Sequence, residues 1–432
     1  MFRRLLCTTS IAALAAFGQA NYGQLCESDA SSRGPDAANA VVFWNDAAAH
    51  SIVTVAGRPP QLSAVDAAIV HTAIFDAVNA VCGSPYTSYA STPQVQPPAL
   101  ADAAAAAAAH DVLVGLYPGQ QADLDQKLAD FLNTIQGHTE GKRNGIAAGQ
   151  QAAAAILQLR ANDGRNAGTP WTPPPPGPMI WQPTPPGYLP PASPWLKDVT
   201  PWALASPSQY RVGLPPSSDS DVWIHDYNEV KAYGGATSNV RSPEQTDLAL
   251  FIGGAGVHPM AQWLSAWRGI ATERHLSTIE AARLFGMLST AASDGLIACW
   301  DSKYTYAFWR PVTAIMEGGA NPALDADPNW SSLAVTPNHP EYPAAHGCLS
   351  GAIVGALTAY FGTDQFDFTM SSAAPNLMQP VRQYHSFSAA LQDILNARIY
   401  GGMHYRNSTR IGAVLGELVG WHTAQNLFLP RR

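Results

Sequence analysis

The sequence predicts an all-α protein, on three observations. Between positions 63 and 81, apolar side chains such as Val70 and Ile74 recur about one helical turn apart. Alanine-dominated stretches at 101–116 and 145–160 have high helix propensity and little side-chain bulk, which favours close helix packing. No stretch of useful length alternates apolar and polar residues in the way that a half-buried strand does. We therefore expect an all-α fold.

The first 20 residues have the layout of a secretory signal peptide. Two arginines precede an uncharged apolar stretch, and the small residues Gly18 and Ala20 come before Asn21. A mitochondrial or plastid transit peptide is the alternative, disfavoured because the segment is not arginine-rich throughout. We expect a secreted protein cut near Ala20. No later window has about 18 uninterrupted apolar residues, so no membrane span is expected.

We divide the chain into the signal peptide 1–20, an N-terminal helical region 21–168, a Pro-rich connecting segment 169–240 and a C-terminal catalytic helical region 241–432. Proline density in the connecting segment excludes helix and central strand. An interdomain linker is one interpretation. We favour a fixed wrap over the surface, because its large aromatic side chains are too apolar to remain in water. These are Trp171, Trp181, Tyr188, Trp195 and Trp202.

Helical patterns resume after this segment and contain the candidate chemistry. We expect helices at 244–267, 278–302, 346–361, 387–400 and 406–427.

Composition limits the class of protein. Charged residues are 13% and apolar residues 47% of the 432, which is not the composition of a disordered chain. The formal net charge of -8 offers no basic surface for nucleic acid. Any anion that the protein binds must therefore be held by a local cluster of cations.

Four cysteines follow the signal peptide: Cys26, Cys82, Cys299 and Cys348. Four cysteines allow three pairings, and the sequence does not choose among them. One or two disulfides are expected in an oxidising compartment, but Cys299 and Cys348 lie in apolar stretches and are equally compatible with buried free thiols.

Lys303 and Arg310 are the first candidate site residues. They are seven residues apart, which is two helical turns, so both cations are expected to point the same way before Pro311 stops the helix. Aromatic neighbours in KYTYAFWRP favour a buried location over a solvated one. Buried cations without a partner are costly, so the pair needs an anion.

His346, Arg398 and His404 complete the set. His346 lies where a proline-rich stretch enters an apolar helix, so the backbone N–H groups around it favour an anion. Arg398 and His404 flank a glycine pair that allows the chain to turn and bring both toward one point. Three cations can neutralise a tetrahedral oxyanion, while one imidazole attacks or coordinates its central atom and the other transfers protons.

These residues occur in the order K-x6-R-P, then P-x-x-H at a helix start, then R-x5-H followed by an aromatic residue and an arginine. The order resembles that of the vanadium-dependent haloperoxidases and the type 2 phosphatidic acid phosphatase superfamily. The runs AIVHTAIFDAVNAV and ACWDSKYTYAFWRPVTAI resemble the soluble haloperoxidase-like branch, so the resemblance covers most of the chain after the signal peptide. It implies a helical bundle of the vanadium haloperoxidase and acid phosphatase type.

The resemblance also implies a role for each residue. Lys303, Arg310, Arg398 and the backbone N–H of Ala345 would bind the oxygens of vanadate or phosphate. His404 would bond vanadium in a peroxidase, or attack phosphorus to give a phosphohistidine in a phosphatase. His346 would transfer protons at the opposite apical oxygen. One site suits both because five-coordinate vanadate resembles the transition state of phosphoryl transfer.

Three positions bear on the anion and the halide. Ala344 and Ala345 stand where the family has serine and glycine, and the missing serine hydroxyl costs about 1 to 3 kcal/mol if its acceptor stays unpaired. His339 matches the histidine of the family's bromoperoxidases, where chloroperoxidases tend to have phenylalanine. A surface histidine in a turn is the alternative interpretation.

We therefore expect a secreted vanadate-dependent haloperoxidase that oxidises halide, bromide in particular, with hydrogen peroxide and passes it to a small organic acceptor. The alternative is a secreted metal-independent acid phosphatase, and a third hypothesis is a binding protein with a degenerate site. A homodimer remains an alternative to a monomer. Weaker candidates are Asp294 and Asp301 beside Lys303, His385 facing substrate, and the glycan acceptor Asn329. Asn407 also begins an acceptor motif, but it is too near His404 to be open.

Overall fold

The computed structural model describes residues 39–135 and 139–431. The expected signal peptide and Cys26 lie outside these ranges. Within them the chain forms thirteen α-helices and one β-hairpin. The first five helices are α1 (Ala40–Ala49), α2 (Pro60–Val81), α3 (Ala101–Leu116), α4 (Gln121–Thr134) and α5 (Thr139–Leu159). The next five are α6 (Asp221–Gly234), α7 (Pro243–Gly253), α8 (Pro259–Glu273), α9 (Thr278–Tyr306) and α10 (Pro311–Glu317). The last elements are α11 (Ala345–Phe361), β1 (Gln365–Ser371), β2 (Val381–Ser386), α12 (Phe387–Tyr400) and α13 (Arg406–Asn426).

The mostly helical architecture confirms the predicted fold class, with one exception. β1 and β2 pair antiparallel, and side chains of β1 alternate between exposed and buried along its whole length. The run QFDFTMS carries this alternation in the sequence, so the prediction that no such stretch exists was wrong. The hairpin packs its aromatic face against α8 and α12.

Helices α2 and α9 cross the centre of the core. α9 begins with a capping box between Ser277 and Glu280, and most of its residues up to Tyr304 are buried. Among the described residues, α2 has the length and composition of a membrane-spanning helix, yet 94% of that window is buried inside the protein. Its burial is that of a core helix.

Helices α11 and α13 approach closely because glycines line both contact faces. A Cβ atom on Gly351 of α11 would lie 2.5 Å from the carbonyl oxygen of Ala413, and one on Gly412 of α13 would lie 2.5 Å from that of Ala344. The close packing expected of the alanine-rich stretches is confirmed in the same way, since a Cβ on Gly149 of α5 would lie 2.8 Å from Ala107 of α3. The glycines of α11 and α13 bring the segments of His346 and His404 together.

Several predicted element boundaries were wrong. The helix expected at 244–267 is two helices, α7 and α8, which are separated where GGAGVHP breaks the pattern. α9 ends at Tyr306, because Ala307 adopts a left-handed conformation with φ of 48°. Pro311 begins α10 instead of stopping a helix, so Lys303 and Arg310 do not lie on one helical face.

The connecting segment packs against the core as a fixed wrap. The buried carboxylate of Asp294 accepts three backbone N–H bonds from residues 202–204, and Trp181 and Trp202 are buried. Tyr188 is 63% exposed, so the expectation that all five aromatic side chains are covered was wrong for it. The segment also contains α6, which the proline-based interpretation missed because the prolines end at position 216.

The cysteines separate into two kinds. Cys82 is disulfide-bonded, whereas Cys299 and Cys348 are free and buried. The alternative of buried free thiols is therefore confirmed for these two.

Candidate active site

Lys303 lies in the last turn of α9 and is fully buried. Its Nζ donates to the carbonyl oxygens of Pro340 (2.8 Å) and Glu341 (2.9 Å). An ammonium group has three N–H donors, so one remains for a ligand. Burial lowers the pKa of Lys303 to about 8, because the charged form loses its hydration.

Arg310 is the residue that precedes α10, and its guanidinium joins three segments. Nε donates to the carbonyl oxygen of His339 (2.9 Å), and Nη1 donates to that of Met403 (2.9 Å). Nη1 also lies 3.1 Å from Nε2 of His404. Lys303 and Arg310 thus converge because both reach the loop before α11, and not through the helical spacing that the sequence suggested.

Arg398 lies in the last turn of α12 and is 2% exposed. One Nη2 contact is the sulfur of Met403 at 2.7 Å, a weak acceptor, and its Nε has no partner among the described residues. A Cβ atom on Gly253 would lie 2.6 Å from Nη1, so any side chain there would displace the end of this guanidinium. Arg398 therefore has N–H donors that are available to a bound anion.

His404 follows the turn at Gly401 and Gly402, as predicted, and is buried. Its Nδ1 lies 2.7 Å from Oε1 of Glu341, which also accepts the backbone N–H of Tyr405 at 3.1 Å. A carboxylate accepts and an arginine donates, so the two contacts assign the proton to Nδ1 and leave the lone pair on Nε2. Nε2 is the atom that faces Arg310.

Glu341 is the site residue that sequence reasoning missed. It is completely buried, and burial raises its pKa to about 7, against the opposing effect of Lys303 and Arg310. The signal is present in HPEYPAAH, where an acid lies between the two candidate residues His339 and His346. A charged residue in so apolar a stretch needs a buried partner.

His346 occupies the first turn of α11. Ala344 precedes the helix and supplies no side-chain cap, and Nε2 of His346 is buried without a partner among the described residues. Ala345 has no left-handed backbone angle, so alanine in place of the family glycine causes no strain there. The free N–H groups of the helix start remain available to an anion.

His339 is buried in the same cluster, which excludes the surface interpretation. Its ring lies 4.9 Å from that of Trp300, and its Nδ1 is 3.1 Å from Nη2 of Arg310. Burial and the nearby cations lower the pKa of His339, of His346 and of His404 well below its usual value. All three imidazoles are therefore neutral at pH 7 in the protein without an anion.

The cluster carries excess positive charge. Within residues 39–135 and 139–431, none of its three cations has a carboxylate within 4.0 Å, and the one acid in the cluster, Glu341, pairs with His404. Burial lowers the pKa of Arg310 to about 10, against the opposing effect of Glu341, and burial together with repulsion from Arg310 lowers the pKa of Arg398 to about 9. A tetrahedral oxyanion fits this donor set, since it supplies negative charge and acceptors for the free N–H groups.

The weaker candidates lie outside the cluster. Asp294 holds the connecting segment, and Asp301 pairs with Arg211. His385 is exposed on β2 beside Asp367. Asn329 is exposed in a loop, as a glycan acceptor must be, whereas the backbone N–H of Asn407 donates to Asp226 at the start of α13.

Comparison with known proteins agrees with the predicted resemblance. Residues 283–428 match the family model of the VCPO second helical-bundle domain. Vanadium chloroperoxidase of Curvularia inaequalis is 26% identical over an alignment of 402 residues, and the match covers 75% of this chain. The match covers 66% of that protein, so the chain spans somewhat less than two thirds of its relative.

Solved structures share the fold. A bacterial vanadium-dependent iodoperoxidase superposes with a TM-score of 0.79 at 24% identity, over 90% of this chain and 98% of that one. The apo form of a bacterial vanadium-dependent chloroperoxidase gives 0.70 at 20% identity, over 84% and 92%. At these identities the likeness establishes the fold. The recognition of vanadium haloperoxidase relatives from three short motifs is therefore confirmed.

Proposed function

We propose that this chain, whose relatives in sequence and fold are vanadium haloperoxidases, is itself a vanadate-dependent haloperoxidase that oxidises halide with hydrogen peroxide. One observation carries the proposal. Three fully buried cations surround a neutral histidine, and the single acid among them in the described part of the chain is already paired with that histidine. A site with this charge binds an oxyanion, and its relatives are named for vanadium.

The residues present fit vanadate. Lys303, Arg310, Arg398 and the backbone N–H of Ala345 would hold its oxygens, and Nε2 of His404 would be its protein ligand. Bound vanadate would supply Lewis acidity toward peroxide, which makes the peroxide able to oxidise a halide.

Glu341 determines which nitrogen of His404 is free to bind vanadate. By accepting the Nδ1–H, its carboxylate leaves the Nε2 lone pair free of a proton and fixes the plane of the ring. The negative charge also increases the basicity of Nε2. Glu341 is thus a positioning residue that works through His404.

His346 would transfer protons in the proposed reaction. Its Nε2 is buried and has no partner among the described residues, and burial together with the surrounding cations lowers the pKa of the ring, which keeps it neutral. A neutral imidazole can take a proton from a bound acid, and an anion in the cluster would offset the cations and stabilise the charged ring.

We also propose that bromide is oxidised in preference to chloride and that the protein is secreted. Support for bromide is the resemblance at His339, together with the contacts of its ring with Arg310 and Trp300. Support for secretion is the composition of residues 1–20 alone. Hydrogen peroxide, halide and a small organic acceptor are the proposed reaction partners.

The deciding experiment measures two activities of the purified protein, with and without orthovanadate. Bromination of a phenol indicator in bromide and peroxide should appear only with vanadate, and iodide and chloride serve as parallel substrates. Phosphate-ester hydrolysis without any vanadate-dependent bromination would instead support the acid phosphatase. His404→Ala should abolish bromination, and an active variant would show that His404 has been assigned wrongly.

A further inference from the structure

The last helix, α13, presents an apolar stripe to solvent. Ile411, Val414, Leu418 and Trp421 follow a spacing of three, four and three residues, which puts them on one helical face. Val414, Leu418 and Trp421 are 53%, 49% and 43% exposed. Large apolar side chains this exposed along one face indicate a binding surface. We call these four residues the α13 stripe.

A groove adjoins the N-terminal end of the α13 stripe. It has a volume of about 300 Å³ and is lined in part by Asn407 and Ile411 of α13 and by Leu214 and Val222 of the connecting segment. Leu214 is 81% exposed. The groove is apolar on the side of the connecting segment, so it suits one large aromatic side chain.

We propose that two copies of this chain pair through the α13 stripe, antiparallel, about a two-fold axis at Val414. A symmetric interface of this kind requires a patch that is complementary to itself. Trp421 and Asn407 are each seven residues from Val414, on opposite sides. The axis therefore sets Trp421 of one copy against the groove of the other, and it sets Ile411 near the second copy's Leu418.

Charges on one flank of α13 select the antiparallel arrangement. Arg410 is exposed and Glu417 is half-buried, four and three residues from Val414 on the same flank. In an antiparallel pair this flank meets its own copy, so each Arg410 faces a Glu417. Burial and the nearby carboxylate of Asp364 raise the pKa of Glu417. An arginine from a second copy would therefore stabilise the charged form of Glu417. In a parallel pair this flank would meet the opposite flank of the second copy, so Arg410 and Glu417 would not face each other.

The stripe alone is too small for a stable dimer. A specific interface buries about 800 Å² on each partner, whereas α13 between Asn407 and Trp421 is about 21 Å long and one helix wide. The rim of the groove, with Leu214 and Val222, must therefore be covered as well. This proposal does not depend on vanadate or on peroxidase activity.

A cysteine on the axis tests the geometry directly. The full chain should run as a dimer in sedimentation equilibrium at micromolar concentration. Val414→Cys should form an intermolecular disulfide under mild oxidation, because the two thiols meet at the axis. The control is Leu159→Cys, an exposed apolar position on α5, which should not cross-link. A dimer in which Val414→Cys fails to cross-link overturns the proposed axis.

Charge reversal tests the pairing. Arg410→Glu and Glu417→Arg should each weaken the dimer about tenfold, and the double variant should restore it. Leu418→Glu should give a monomer that still binds orthovanadate, which separates dissociation from misfolding. A monomeric wild-type protein overturns the proposal, whether the stripe is left open or covered by another part of its own chain.

Discussion

Replacing Glu341 tests whether the buried carboxylate orients His404. Its Oε1 accepts two donors, Nδ1–H of His404 at 2.7 Å and the backbone N–H of Tyr405 at 3.1 Å. Alanine leaves both donors buried without an acceptor, at about 1 to 3 kcal/mol each. We expect Glu341→Ala to lower the free energy of unfolding by about 2 to 4 kcal/mol, since some relaxation is expected. Orthovanadate affinity should fall about 10- to 100-fold, as for other ligand-orienting partners.

Glu341→Gln is the matched control, because its amide oxygen can still accept both bonds. We expect this variant to recover most of the stability. It keeps the orientation of the His404 ring but loses the negative charge that increases the basicity of Nε2, so its vanadate affinity should lie between those of the wild type and of Glu341→Ala. Calorimetric titration with orthovanadate measures the affinity, and nitrogen NMR of His404 reports which ring nitrogen carries the proton. A Glu341→Ala protein that binds vanadate as tightly as the wild type, with the proton still on Nδ1, would refute the reasoning.

Three further predictions follow from single contacts. Gly253→Ala places a Cβ atom 2.6 Å from the Arg398 guanidinium and should lower orthovanadate affinity at least about tenfold. The control is Gly269→Ala on α8, whose Cβ atom meets open space and should leave the orthovanadate affinity unchanged. If Gly253→Ala binds orthovanadate as tightly as the wild type, Arg398 does not hold the anion. Ala344→Ser adds a hydroxyl at the start of α11 and should raise the affinity several-fold, about 0.5 to 1.5 kcal/mol; no gain would mean that the hydroxyl does not reach the anion. Two neighbouring carboxylates raise the pKa of His110, so the stabilisation that they give is complete below the unfolded pKa of about 6.5 and is lost as pH rises through the higher folded value. Urea unfolding at acidic and alkaline pH should show this difference in the wild type and lose it in His110→Asn.

The separate segments of the candidate site were predictable because each has a local signal. A buried cation needs an anion, and a helix start offers free N–H groups, so the sequence around Lys303 or His346 carries its own physical argument. The glycine pair before His404 predicted a turn that the structure contains. These arguments depend only on residues that are close in the chain.

The contacts between the segments were not predictable in the same way. The seven-residue spacing of Lys303 and Arg310 suggested one helical face, but Ala307 ends α9 and Arg310 belongs to the next helix. Their convergence comes from the loop at 339–341, to which both donate hydrogen bonds. The role of Glu341 was not predicted from the sequence because its partner, His404, is 63 residues away.

By itself the sequence determined the helical class, the identities of the five charged or imidazole residues and the family that they resemble, because propensity, charge scarcity and motif order are properties of the chain. Tertiary structure decided which atoms of these residues meet. The glycines of α11 and α13 set how closely these two helices approach, and Gly253 leaves space for Arg398. Glu341 accepts the Nδ1–H of His404 and thereby leaves Nε2 as the free nitrogen. Such contacts join residues far apart in sequence, and their geometry follows from packing of the whole bundle.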